Sequence, residues 1–221
     1  MKLIQYGDHE EYRQAQINAN KLKFRNVFAE NEELRRIALD FANNGGRGLC
    51  HGVRNGYEVR FLRDHLPDLN LVGTDISPTV TDVPNCILWD MHEAKDEWRG
   101  NIDFIYSNSW DHTYDPDKLF GTWASCLSPN GRMYIAYTAK HSEEGVTEAS
   151  KYDAFGCSLG ELVTICQRYA ALVDVLEIAP RVSAKGIRRH LSYLRNGRWS
   201  AFFNRSLRSR RIVVFVFKKK I

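Results

Sequence analysis

From Arg47 onward the chain alternates short apolar runs with amphipathic stretches, and this alternation narrows the available folds more than any other feature. Strands are predicted at 48–50, 69–74, 86–89, 102–107 and 132–138, and helices at 57–65, 116–126 and 159–169. Two further strands are predicted at 171–178 and 212–217. Strands alternating with helices imply an α/β fold, a parallel sheet wound on both faces. Two helix starts are marked by Asp115-Pro116 and by Ser158 with Glu161 three residues on, a capping box. Residues 10–42 read as helix broken near Asn26, with Leu34, Ile37, Ala38 and Phe41 at helical spacing. The 221 residues, 43% of them apolar, suit one domain with a sizeable core. Within it we expect a helical N-terminal cap at 1–45, a ligand-binding core at 46–178, a basic lid at 179–211, and a last strand and tail at 212–221.

Composition removes several function classes. The longest apolar run, 212–217, is far short of the roughly 20 residues that cross a bilayer. The five cysteines form no CxxC pair and are odd in number, which argues against a disulfide framework or a zinc site and fits a reducing, cytoplasmic setting. No metal-ligand set is read from the sequence. Charge is uneven: thirteen of the 31 basic residues follow Glu177 and none of the 27 acidic ones does, so 18 bases face 27 acids before it. An acidic body with a basic tail points to an anionic partner.

Parallel sheets of this kind bind ligands beyond the carboxyl ends of their strands, near the point where strand order reverses. The residues at those ends therefore carry the functional reading. After the first strand comes Cys50-His51-Gly52-Val53-Arg54-Asn55-Gly56, where two glycines permit close backbone approach and the following helix offers free N–H groups to an anion. The second strand ends in Asp75-Ile76, 19 residues past Gly56, a spacing at which a carboxylate can accept both hydroxyls of a ribose. The third ends Trp89-Asp90-Met91, an acid beside an apolar side chain that suits an adenine ring. The fourth exits through Tyr106, Ser107, Asn108, Trp110, Asp111 and His112, and the fifth through Tyr137 toward His141.

In this order the features resemble the class I S-adenosylmethionine-dependent methyltransferases, over residues 47–169. That family has a glycine loop, an acid after strand two, an acid with an apolar neighbour after strand three, a strand four like DFIYSNSWDHTYDP and a turn like LSPNG before strand five. The resemblance implies a Rossmann-like, seven-stranded, mostly parallel sheet with an antiparallel last strand. It also implies S-adenosylmethionine as cofactor, held by Gly52, Arg54, Asn55, Gly56, Asp75, Ile76, Asp90, Met91, Tyr106 and Ser107. Two departures stand out. Cys50 replaces the usual acid and Arg54 a usual glycine, which weakens the expected grip on the cofactor's ammonium group and offers a guanidinium to its carboxylate.

A sulfonium methyl is intrinsically electrophilic, so positioning supplies much of the rate and a base assists a hydroxyl acceptor. His112 is the first candidate base, with Asp111 and His141 in reserve. Asn108, Trp110 and Tyr137 are expected to shape the acceptor side, with Arg188, Arg189 and Trp199 contributed by the basic lid. Three readings compete. The first is methyl transfer to a small anionic or sugar-containing acceptor, such as a glycan or nucleotide-sugar hydroxyl. The second is methylation of nucleic acid, RNA in particular, through the basic region, with affinity falling steeply with salt. The third is a non-catalytic binding module on the same fold.

Overall fold

The computed structural model describes residues 1–146, 151–178 and 212–220. Seven strands form one sheet: β2 (Gly46–His51), β3 (Leu69–Asp75), β4 (Cys86–Leu88), β5 (Ile102–Ser107), β6 (Leu127–Tyr137), β8 (Ala170–Ile178) and β9 (Ile212–Lys219). Their spatial order is β4-β3-β2-β5-β6-β9-β8. Neighbours from β4 through β6 pair in parallel. β9 alone runs the other way, antiparallel to both β6 and β8. The predicted seven-stranded sheet with its reversed last strand is therefore what the chain forms. Strand order reverses between β2 and β5, and a crevice must open there above the carboxyl ends.

Five helices cover the sheet: α1 (His9–Lys23), α2 (Asn31–Phe41), α3 (Tyr57–His65), α4 (Pro116–Cys126) and α5 (Leu159–Cys166). The pleat sends alternate residues to opposite faces. Ile105, Met133, Ile135, Phe215 and Phe217 meet Phe120 and Trp123 of α4 and Leu162 of α5. Phe104, Tyr106, Tyr134, Val214 and Val216 meet Leu34 and Ile37 of α2 and Leu62 of α3. Because both faces are covered, β5 and β9 read as nearly unbroken apolar runs.

The helices start where polar caps permit. Asp8 accepts from Glu11 N at 2.8 Å to open α1, and Glu30 with Glu33 forms a capping box for α2. The break predicted near Asn26 is the link between these two helices. Other boundaries moved. β6 begins at Leu127, because Leu127 pairs with Ile102 across an irregular register. α5 stops at Cys166, where Arg168 N and Tyr169 N bond Ile165 O and Cys166 O in tightening i−3 turns, both at 3.1 Å. A two-residue strand β1 (Lys2–Leu3), absent from the sequence reading, pairs antiparallel with β7 (Phe155–Gly156) and anchors the N-terminus ahead of α1. The expected lid, 179–211, lies outside the described residues. Among the described residues no helix is long and apolar enough to cross a membrane, and all five cysteines are free thiols.

Candidate active site at the strand-order reversal

The crevice at the β2/β5 reversal has a volume of about 490 Å³ counting its open mouth. Its floor is Gly52, where β2 turns toward α3. Gly52 takes φ +76°, and a Cβ there would stand 2.5 Å from Ser109 Cβ on the neighbouring β5 loop. Any side chain would wedge the two strand ends apart, so glycine is what allows the crevice floor to form.

Asp75 ends β3 and lines the crevice. It accepts from Ser77 N at 2.8 Å, Arg54 N at 2.9 Å and Asn20 Nδ2 at 3.0 Å. Burial pushes its carboxyl above the ordinary range, opposed by the Ser77 and Arg54 N–H groups. Arg54 pays for its bond to Asp75 with a left-handed backbone, φ +47°, which costs a non-glycine residue roughly 1–2 kcal/mol. Its guanidinium sits 4.7 Å over the ring of Phe28, with Asn26 O at 3.5 Å, so in this structure it engages the α1–α2 link. Lys140 Nζ approaches the same ring at 5.5 Å.

Beyond β4, Trp89 and Met91 line the crevice and Ile76 lies on the other side of Asp75. Asp90 does not line it, contrary to expectation. Its carboxylate accepts from His92 Nδ1 at 2.7 Å, His92 N at 2.9 Å and His9 Nε2 at 2.9 Å. Burial acts to raise its pKa, but these histidine contacts hold the carboxyl well below the usual range.

The β5 exit divides by the phase of the pleat. Tyr106 falls on the α2/α3 face, where it is wholly buried and its hydroxyl donates to Glu33 Oε1 at 2.6 Å. It does not reach the crevice. Ser107 Oγ donates to His51 O at 3.1 Å and accepts from Ser109 N at 3.0 Å, stapling β5 to β2. Trp110 is core, its indole donating to Ala136 O at 2.7 Å, and Tyr137 turns its hydroxyl to Cys157 O at 2.9 Å. Asn108 Oδ1 accepts from Ser109 Oγ at 3.1 Å, one residue back from the crevice wall. Asn55 ties down the α1–α2 link through Phe24 O at 2.7 Å, and Gly56 caps α3 at φ +70°. Each of these was expected to touch cofactor or acceptor, and each is supporting structure instead.

Of the three candidate bases, only His112 lines the crevice. Its Nδ1 donates to Gln16 Oε1 at 2.7 Å, which leaves Nε2 as the free nitrogen. His141 is a buried cap: Nδ1 accepts from Thr138 N at 3.0 Å, and burial pushes its pKa down to about 4. Asp111 is buried behind His112, its carboxyl pushed up to about 6 by burial. Arg188, Arg189 and Trp199 lie outside the described residues.

One wall has no counterpart in the sequence reading. Tyr12, Gln16 and Asn20, at i, i+4 and i+8 of α1, close over the crevice with Ala19. Tyr12 packs edge-on against Tyr114, ring centroids 4.6 Å apart. Gln16 Nε2 donates to Tyr152 O at 3.0 Å, and Asn20 Oδ1 accepts from Thr79 Oγ1 at 2.7 Å. A helix stripe that is buried yet polar was the available signal.

Sheet order, crevice position and the acid at the β3 tip together decide the fold. The chain has the class I S-adenosylmethionine-dependent methyltransferase fold. Solved structures of that fold superpose along nearly its whole length. Phosphoethanolamine N-methyltransferase 2 of Haemonchus contortus, in complex with phosphomonomethylethanolamine and S-adenosylhomocysteine, gives a TM-score of 0.65 at 17% identity, covering 98% of this chain and 61% of that one. The chain thus spans about three fifths of that enzyme. The 1,6-didemethyltoxoflavin-N1-methyltransferase of Burkholderia thailandensis gives 0.67 at 11% identity over 99% of this methyltransferase-fold chain and 93% of its own. The [4+2]-cyclase SpnF also gives 0.67 at 11% identity, covering 100% and 99%. No protein-family profile and no curated protein sequence matches.

Proposed function

We propose that this chain transfers a methyl group from S-adenosylmethionine to a small, anionic acceptor. The observation that carries the reading is Asp75: a buried carboxylate lining the crevice at the strand-order reversal, where a ribose would meet it. Gly52 would lie under the cofactor, Trp89 and Met91 would pack on the adenine, and α1 would close over it, excluding water through Tyr12, Gln16 and Asn20. Cofactors of this class supply the electrophilic methyl. The protein's part is to align the acceptor and handle its charge or proton, and His112 is the group placed to touch it.

An anionic acceptor is favoured by Arg54 and Lys140 flanking Phe28 and by the basic composition of 179–211. Two proteins of this fold bind phosphorylated compounds, phosphomonomethylethanolamine in one and geranyl diphosphate in the other. A phosphorylated amine, a diphosphate or a nucleotide-linked sugar would each satisfy the same cations. The cyclase of the same fold keeps a non-methylating reaction as the second reading.

The test is mass spectrometry of the purified chain for retained S-adenosylhomocysteine, followed by calorimetry with that nucleoside. The reading expects one site per chain. An unoccupied protein that also gives no heat of binding sinks it.

A further inference from the structure

Three donor side chains meet beside the crevice, with His112 on its wall. Asp111 and His112 sit on the 3-10 turn Trp110–His112 that follows β5, and Asp153 comes from the segment just before β7. One donor atom from each lies within 4.8 Å of the other two. Ligands of a divalent cation at about 2.0–2.2 Å stand roughly 3–3.6 Å apart, so side-chain rotations of about an ångström bring this set to coordinating distance.

Proximity of two acids and a histidine would mean little alone. Two further observations point to a missing cation. The Asp111 side chain is 8% exposed, and among the described residues its Oδ1 has no hydrogen-bond partner. His141 Nε2 is 3.9 Å away, beyond hydrogen-bond reach. A buried carboxylate oxygen left this way is strongly disfavoured unless a positive charge joins it. The second observation is the orientation of His112. Gln16 Oε1 accepts from His112 Nδ1, which turns Nε2 toward Asp153 Oδ1 at 3.6 Å. A lone pair facing a carboxylate repels it until a proton or a metal ion comes between. Lys23 Nζ, 3.7 Å from the same Oδ1, offsets only one side of Asp153.

We propose that Asp111, His112 and Asp153 form a divalent-cation site whose remaining coordination positions open toward the crevice. Two carboxylate oxygens and one imidazole nitrogen suit a borderline cation such as Mn²⁺, and three protein ligands leave room for exogenous oxygen. Gln16 is the positioning residue: its Oε1 fixes the ring and aims Nε2 at the cation. The open positions would take phosphate or diphosphate oxygens. This part rests on the methyl-transfer reading and specifies its acceptor as one that chelates, with His112 contacting it through the cation. Cation binding itself does not depend on that reading.

The experiment is Mn²⁺ titration of the full chain in chelator-treated buffer, followed by calorimetry and by loss of the free-Mn²⁺ electron paramagnetic resonance signal. Wild type should bind one Mn²⁺, and Asp111→Asn and Asp153→Asn should each weaken it at least tenfold with unchanged circular dichroism. Asp153 is the more exposed partner, so Asp153→Asn keeps the test decisive if Asp111→Asn misfolds. Inorganic pyrophosphate should bind wild type at least tenfold more tightly with Mn²⁺ than without it. Absence of Mn²⁺ binding, or both variants binding like wild type, overturns the site and leaves His112 paired with Asp153 alone. S-adenosylhomocysteine calorimetry on the same samples separates the two claims. Nucleoside binding without Mn²⁺ overturns the cation site alone, and Mn²⁺ binding without the nucleoside supports the site while overturning the methyl-transfer reading.

Discussion

Two aspartates bracket the crevice, and the chain treats them oppositely. Asp75, at the β3 tip, has three donors arranged around it before any ligand arrives. Asp111, past the end of β5, keeps an oxygen with no hydrogen-bond partner among the described residues. The first is pre-organised: its orientation is fixed by backbone N–H groups, so a ribose hydroxyl would meet an acceptor already in place. The second is a buried charge left open, a state that folding tolerates at sites where a ligand completes it. On the proposed reading, the end that would hold the cofactor is pre-organised, whereas the end that would hold the acceptor is left open.

The sharpest way to break this contrast is at the acceptor end. His112→Ala should lower methyl transfer at least about 100-fold while leaving S-adenosylhomocysteine affinity within about twofold. The measurement is single-turnover transfer of a radiolabelled methyl group to acceptors found among phosphorylated amines, diphosphates and nucleotide sugars. Equal transfer rates would make His112 a structural residue. At the cofactor end, Asp75→Ala should weaken S-adenosylhomocysteine binding at least about tenfold, since hydrogen bonds to charged groups contribute about 1.5–3 kcal/mol. It should also destabilise the fold by about 1–3 kcal/mol, because the N–H groups of Arg54 and Ser77 lose their acceptor. Calorimetry and urea unfolding read the two effects separately.

Two smaller tests concern the support beneath the glycine loop. Burial pushes Glu33 and Glu58 up to about 7. An acid whose folded pKa is raised contributes fully below its unfolded pKa, near 4.3, and loses that contribution as pH rises through about 7. Wild type should therefore lose more stability between pH 5 and pH 8 than Glu33→Gln does, and parallel melting curves would contradict this. The least effect is expected from Arg54→Gly. Glycine adopts φ +47° without strain but loosens the unfolded chain, so a net gain of about 1 kcal/mol or less should appear. S-adenosylhomocysteine affinity should stay within about threefold, because the guanidinium rests on Phe28. A larger loss in calorimetry would show that it swings over to grip the cofactor's carboxylate.

Much of the fold was legible in the chain itself. The strand and helix order and the capping residues Ser158 and Asp115 follow from local periodicity and cap chemistry, and the reversed last strand from the family resemblance. Of the residues singled out from the sequence, Gly52, Arg54, Asp75, Ile76, Met91 and His112 were found lining the crevice. Asp90 and Tyr106 were not, for separate reasons. Tyr106 lies one pleat position off the useful face, a phase that loose alignment of strand ends does not resolve. Asp90 has the right location, but His92, two residues on, and His9 of α1 occupy its carboxylate. The α1 wall was missed because Tyr12, Gln16 and Asn20 read as an ordinary surface stripe until the helix docks.

The sequence by itself determined the sheet, the position of its reversal and the acid at the β3 tip, since periodicity, glycine and strand-end chemistry act over a few residues. Only the tertiary structure decided which residues share a wall. It brought Asn20 to Asp75 across 55 positions and Asp153 to His112 and Asp111. No local pattern encodes such meetings, because each depends on two elements being fixed by cores that neither of them contains.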